Sequence, residues 1–236
     1  MASKLSAVAL LSSGLDSSVA VAMAMKQGYE LKLALTFDYG QKAAPKELEH
    51  AGQLARYWNI PHHTLELSFF SSKAGSSLLR TSETRALPHL SLADLDDLHA
   101  SRKSAKSVWV PNRNGVFIEI AACFAEQLDA SYLIVGFNRE EAATFPDNSK
   151  AYRESLNQAL AFSTSNQVKV ISPTESLDKT EIVRHALELQ LPLELFWSCY
   201  QTGALMCGVC ESCMRLKRAF KKNEVPFHDY FTNPSL

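Results

Sequence analysis

Four cysteines crowd one stretch of this chain, Cys199, Cys207, Cys210 and Cys213, at the spacing C-x7-C-x2-C-x2-C. Four thiolates so spaced satisfy a tetrahedral Zn²⁺ and leave no open position for a water, so the chemistry expected is structural and not hydrolytic. Gly203 and Gly208 permit the tight turns a chain makes around an ion. Thiol exchange through Cys207 with Cys210, or Cys210 with Cys213, is the competing reading. The fifth cysteine, Cys123, lies in an apolar helical pattern and is expected to fill core.

A second polar cluster stands near the start, LLSSGLDSSVA at residues 10–20. An apolar strand that runs into a Gly/Ser turn and then a helix points backbone N–H groups and the positive end of the helix dipole at one place, which favours phosphate. The chain has no Gly-Lys pair, so this is not a G-x-x-x-x-G-K-[ST] loop, and it lacks the three glycines of a dinucleotide fingerprint. The plainer alternative is that Asp16 or Ser17 caps the helix.

The elements that must position these groups read as alternating strands and helices. Strands are expected at 6–12, 31–37, 62–67, 131–137 and 168–172, and helices at 16–27, 44–59, 116–129, 151–162 and 178–190. Gly28 suits a left-handed helix end and Pro61 stops the second helix. Parallel crossovers need helix-length connections, so this order predicts an α/β fold, a mostly parallel sheet covered on both faces. Residues 71–106 lose the periodicity in serines, short Leu pairs and charges, and read as an insertion or lid.

Composition limits what the chain does. Its 236 residues, 46% hydrophobic, supply a core for one large domain or one domain with an appendage. A net charge of −1, from 24 basic and 25 acidic residues, provides no global field for nucleic acid or an anionic membrane. No apolar stretch approaches the roughly 20 residues that span a bilayer, and the first residues make a poor secretory signal, so a cytoplasmic protein is expected. Arg215, Lys217, Arg218, Lys221 and Lys222 follow the cysteines; spread around a helix, they read as a solvated surface. The pair His62 and His63 reads as surface or strand-edge histidine, not a second metal site.

Ser12-Ser13-Gly14-Leu15-Asp16-Ser17 resembles the S-G-G-x-D-S loop of the PP-loop ATP pyrophosphatases, with Ser13 where the first glycine of that pattern stands. Joined to the C-terminal CGVCESCMR segment, it resembles the 7-cyano-7-deazaguanine synthase family. Further matches in order are TFDYGQK (36–42), VPNRN (110–114), VGFN (135–138), FPD (145–147), DKTEIV (178–183) and SCY (198–200). FPDNSK departs from an FPDCR-like pattern, and 71–106 carries no matching motif.

The resemblance implies an open doubly wound sheet of the adenine nucleotide alpha hydrolase-like kind. Residues 1–190 would form the ATP domain and 191–236 a zinc-binding region packed on it. It implies an ATP-dependent carbon–nitrogen ligase of cytoplasmic 7-deazapurine biosynthesis. 7-Carboxy-7-deazaguanine would be activated as an acyl-adenylate, ammonia would give the amide, and a second ATP would drive its dehydration to the nitrile. ATP, Mg²⁺ and Zn²⁺ are the implied cofactors, with a homodimer, no membrane and no direct nucleic acid. Another PP-loop enzyme, such as a tRNA thiolase or an amide-forming synthetase, is the alternative; a thiolase would need a catalytic cysteine, for which Cys123 is the candidate. A zinc-dependent RNA-binding module without catalysis is the second alternative.

Residue by residue, the loop from Leu11 through Ser12, Ser13, Gly14, Leu15, Asp16, Ser17 and Ser18 would hold pyrophosphate, with Asp16 ordering the loop or holding Mg²⁺. Lys179 would supply the cation the loop lacks, its alternative being a surface lysine. Phe37 and Asp38 fall where this fold receives adenosine, Phe37 otherwise being core. Gly136 at a strand end would let a ligand approach the backbone. Tyr39, Arg113, Asn114, Asn138 and Asp147 are the substrate-reading candidates, Arg113 through its planar fork and Asp147, with Asn138 and Glu140 near it in sequence, through a carboxylate matched to a guanine-like edge. Asn114 is otherwise a helix cap, and Glu140, Glu141 and Asp147 otherwise loop solubility. Asp16, Lys179 and Arg113 are the expected catalytic trio.

Overall fold

The computed structural model describes residues 5–72, 75–81 and 86–235. Five parallel strands, β1 (Ser6–Leu10), β2 (Glu30–Asp38), β3 (His62–Glu66), β4 (Tyr132–Ile134) and β5 (Lys169–Ile171), form one sheet in the order β3-β2-β1-β4-β5. The helices are α1 (Leu15–Lys26), α2 (Ala44–Tyr57), α3 (Leu98–Val108), α4 (Arg113–Gln127), α5 (Arg139–Ala142), α6 (Lys150–Ser163), α7 (Lys179–Glu188) and α8 (Glu211–Lys222). The doubly wound α/β architecture is thus the one the sequence pattern predicts.

Side chains alternate between two cores. Ala7 and Ala9 of β1 join α1, α2, α7 and α8 on one face, while Val8 joins Leu35, Leu133 and the apolar residues of α4 and α6 on the other. Burial on both faces explains why the inner stretches of β1 and β4 are continuously apolar. Small residues on β1 and along α1, including Ala20 and Ala24, let that helix lie close to the sheet.

Because β2 and β3 extend from one side of β1 and β4 and β5 from the other, the C-terminal end of β1 is where the winding reverses. Open α/β sheets bind ligands at such a point. The loop at 11–14 occupies it. The 191–236 region packs into the same core as α1, through Phe196, Trp197, Met206, Leu216 and Phe220.

Residues 75–81 lie against the end of β2 through a bridge between Leu79 and Gln41. Residues 98–108, which begin inside the stretch 71–106 read as an insertion and run two residues past it, form α3, whose Ser101 and Ser104 bond to Arg215 and Glu211 of α8. Residues 73–74 and 82–85 of the insertion lie outside the described residues. Among those described, no helix is long and apolar enough to cross a membrane. β3 is an edge strand, with His63 exposed and His62 bonded to the Thr36 hydroxyl at 2.8 Å.

Candidate active site

The turn after β1 is held from outside the helix it starts. Gly14 is the residue before α1 and no side chain caps that helix; Asp16 lies within it, and the Ser17 hydroxyl donates to the Gly14 carbonyl at 3.2 Å. The capping alternative for Asp16 and Ser17 therefore fails. Ser12 and Ser17 hydroxyls lie 3.1 Å apart across the turn. The C-terminal segment clasps it, with the Leu15 N–H donating to the Ser198 hydroxyl at 3.2 Å and the Trp197 N–H to the Ser13 carbonyl at 3.0 Å.

Ser13 takes a left-handed conformation, φ 60°, which a glycine adopts freely and a serine does at a cost. Its hydroxyl is buried without a hydrogen-bond partner, as is that of Ser18. Neither lines the cleft beside the loop, so these two members of the expected cradle face the interior. Leu11, Ser12, Gly14, Leu15, Asp16 and Ser17 do line it.

That cleft, about 270 Å³, gathers most of the predicted residues: Phe37, Tyr39, Arg113, Asn114, Gly136, Lys179 and Cys199 join the loop there. The Lys179 ammonium bonds to the Asp16 carboxylate and lies 3.3 Å from Glu141. Lys179 is buried, and so not the surface lysine of the plainer reading. Its place follows from α7, which Asp178 and Glu181 start with a reciprocal capping box. Burial pushes the Asp16 carboxyl up to about 6 against the pull of Lys179, and Glu141 adds to the rise. Burial alone would lower Lys179, but Asp16 and Glu141 more than offset it and hold the ammonium above its ordinary value. The second oxygen of Asp16 is buried with no partner.

Arg113 begins α4, donates to the Tyr39 hydroxyl at 3.0 Å and stacks over that ring. It makes no ion pair among the described residues. Phe37 serves both readings, being buried, stacked on Phe117 at 4.3 Å and part of the cleft wall. Asn114 is not the cap of α4: Asn112 holds that position in a left-handed conformation, and the Asn114 side chain donates to the Asp147 carbonyl at 3.4 Å.

Gly136, on the cleft wall, has a steric reason beside the one expected. A Cβ there would lie 2.5 Å from the Ser17 nitrogen, so the glycine admits the first turn of α1 against the end of β4. Asp38 turns away from the cleft, accepting from the Gly40 N–H and pairing with Arg80 at 3.1 Å. Asn138 caps α5, accepting from the Glu141 N–H at 2.9 Å, and Asp147 likewise lies off the cleft wall, where Thr144, Phe145 and Asn148 stand instead.

The sequence reading undervalued several charged residues. Glu140 is no solubility residue: it accepts from the Lys179 backbone N–H and bridges Arg215 and Arg218, each at 2.9 Å. Arg215 also pairs with Glu211, and Lys217 is buried with its ammonium on the Asn233 and Ser235 carbonyls. The first half of the basic run thus turns inward, contrary to the solvated surface expected. Glu47, on α2, is a further cleft residue that the reading passed over, although its place three residues into a Pro-started helix after TFDYGQK was a usable signal.

All four Sγ atoms of Cys199, Cys207, Cys210 and Cys213 lie within 4.8 Å of one another, and Cys207 and Cys213 are 3.8 Å apart. A tetrahedron with Zn–S bonds of about 2.3 Å has edges of about 3.8 Å, so the thiols fit a tetrathiolate metal site. Backbone N–H groups of Gln201 and Cys207 point at Cys199, and those of Val209 and Cys210 at Cys207, as thiolates require. Cys123 is exposed on α4 and outside the cleft, which corrects its assignment to the core and removes the cysteine a thiolase reading needs.

Residues 6–224 match the family described as "Queuosine biosynthesis protein QueC". A 7-cyano-7-deazaguanine synthase of Desulforamulus reducens is 51% identical over 216 residues, 92% of this chain and 93% of that one. Its counterpart in Bdellovibrio bacteriovorus is 49% identical over 224 residues, 95% and 96% of the two chains. That of Methanosarcina mazei is 46% identical over 218 residues, 91% and 93%.

Proposed function

The chain belongs to the QueC family, and on that premise we propose that it is an ATP-dependent ligase that converts 7-carboxy-7-deazaguanine and ammonia to 7-cyano-7-deazaguanine. The observation that carries this reading beyond the family match is the meeting of the Ser12–Ser17 loop, Lys179 and Arg113 in one cleft at the reversal of the sheet.

A carboxylate is a poor electrophile until one oxygen becomes a leaving group. The loop amides and Lys179 would hold the pyrophosphate while the substrate carboxylate attacks the α-phosphorus, stabilising charge as it moves to the leaving group. Arg113, a planar fork with no ion pair among the described residues, is suited to holding the substrate carboxylate beside it. Phe37 and Phe117 offer an apolar wall for a purine-like ring. Ammonia then displaces AMP, and a second adenylation carries the amide to the nitrile. Mg²⁺ would neutralise charge on the ATP phosphates, and the unpartnered oxygen of Asp16 is the atom suited to orient it.

The four thiolates would hold Zn²⁺, which supplies no reactivity and fixes the 199–213 segment. Cys199 directly follows Ser198, so the site anchors the residue that bonds the loop. A homodimer working in the cytoplasm completes the proposal. The test is mass spectrometry of products from 7-carboxy-7-deazaguanine, ATP and ammonium: the nitrile supports it, and its absence in metal-loaded protein overturns it. Salt-sensitive RNA binding without nucleotide turnover would instead return the chain to a binding module.

A further inference from the structure

Five carboxylates line the cleft: Asp16, Glu47, Glu140, Glu141 and Glu211. Four are committed to cations. Asp16 and Glu141 share Lys179, Glu140 holds Arg215 and Arg218, and Glu211 holds Arg215. Among the described residues Glu47 alone of the five has no ion pair; its contact is a neutral one, from the Gln41 side-chain N–H at 2.8 Å. Gln41 is itself fixed, donating to the Phe37 carbonyl and accepting from the Tyr39 N–H, each at 2.9 Å, so Glu47 is held in place without being neutralised.

The proposed reaction needs a group of this kind. When ammonia attacks the acyl-adenylate, a C–N bond forms, the C–O bond to AMP breaks with its electron pair on the phosphate, and the new nitrogen must lose one proton. In the second round the amide oxygen displaces pyrophosphate from ATP. Both N–H protons must then leave as the C≡N bond forms and AMP departs. Three protons therefore come off nitrogen, and nothing in the ATP loop takes them: Lys179 keeps its proton, and Asp16 and Glu141 hold Lys179.

We propose that Glu47 is the general base that removes these N–H protons, returning each to solvent between steps. The inference rests on the ammonia-dependent reading above. Burial lifts its carboxyl to about 7, near the pH at which it would work; the Gln41 bond and the Arg113 charge oppose that rise and Asp38 adds to it. Tyr39 is the other titratable group facing it, and burial keeps that phenol above its ordinary value and so protonated.

The experiment separates this step from the one before it. Pyrophosphate exchange into ATP, dependent on 7-carboxy-7-deazaguanine, reads adenylation alone; its absence in the unaltered protein would strike the proposed function, not the base. Given exchange, Glu47→Gln should exchange at the unaltered rate, which also certifies its fold, while amide and nitrile formation fall about 10²–10⁴-fold, the usual worth of a general base. Hydroxylamine, a stronger nucleophile whose adduct nitrogen is acidic enough to lose its proton to water, should restore acyl transfer in the variant as the hydroxamate, and Glu47→Asp should recover part of the nitrile rate. The limb of the kcat profile rising toward pH 7 should vanish in Glu47→Gln. Exchange that falls together with nitrile formation would assign Glu47 to substrate binding and overturn the proposal, as would nitrile formation within a few-fold of the unaltered rate.

Discussion

The ammonium of Lys179, at the first residue of α7, rests on the carboxylate of Asp16 in α1, a contact that joins residues 163 apart in the chain. It places a cation beside a loop that has none of its own, and it makes Asp16 and Lys179 a unit.

Replacing Lys179 with Met should therefore do two things. Turnover of ATP should fall by roughly 10²–10³, the worth of one preorganised donor to a developing charge. Asp16, left beside Glu141 without its cation, should hold its proton to higher pH. A carboxyl raised to about 6 in the folded protein contributes stability that is full below its unfolded value of about 3.8 and is lost as pH rises through about 6. Thermal melts across pH 4–9 should show that loss displaced to higher pH in the variant; an unchanged profile would uncouple the pair.

Gly136→Ala should injure the site without touching a ligand. The added methyl meets backbone of Ser17 and Asp16, which has no rotamer to yield, so the first turn of α1 must move. Loss of about 1–3 kcal/mol in denaturant unfolding is expected, together with weakened binding of an ATP analogue by calorimetry. Full affinity in the variant would show that the turn moves freely.

Ser13→Gly should be tolerated or better. The serine holds φ 60° and buries a hydroxyl that bonds to nothing, two costs that glycine removes. The more flexible unfolded glycine chain offsets part of the gain, leaving about 0.5–1 kcal/mol in melts. ATP affinity should stay within a few-fold; a collapse would mean that the hydroxyl turns outward to meet phosphate.

The metal should be felt at the loop. Elemental analysis should find about one zinc per chain, set by the single four-thiolate cluster. Chelation should weaken binding of an ATP analogue, because Ser198 and Trp197, which hold Leu15 and Ser13, adjoin Cys199. Ser198→Ala should keep its zinc and lose part of that affinity, and equal affinity with and without metal would refute the link.

How much of this was legible in the sequence depended on whether a residue acts through local pattern. The alternation of strands and helices, the loop after β1 and the cysteine spacing are local, and they placed the sheet, the cleft and the thiol cluster. Asp38, Asn138 and Asp147 lie beside cleft residues in sequence but off the cleft wall; a pair with Arg80 draws the first away and capping of α5 the second. Glu140 and Arg215 were misread for the opposite reason: charge in a polar stretch reads as surface until residues 75 apart are seen to pair. Gly136 was singled out for the approach of a ligand, and it does line the cleft; its close contact with the backbone of Ser17 and Asp16 is a second reason that no local pattern shows.

The reach of Lys179 across the sheet also bears on how the protein comes into being. A nascent chain that has made β1, its loop and α1 already displays the serines and the amides, but its cation arrives only after β4 and β5 have been laid beside them and α7 has started. The grip on nucleotide would thus be completed only late. A fragment ending before residue 179 would hold all five strands and the loop but not its cation, so ATP added during refolding should leave early steps unhurried and hold only the finished molecule.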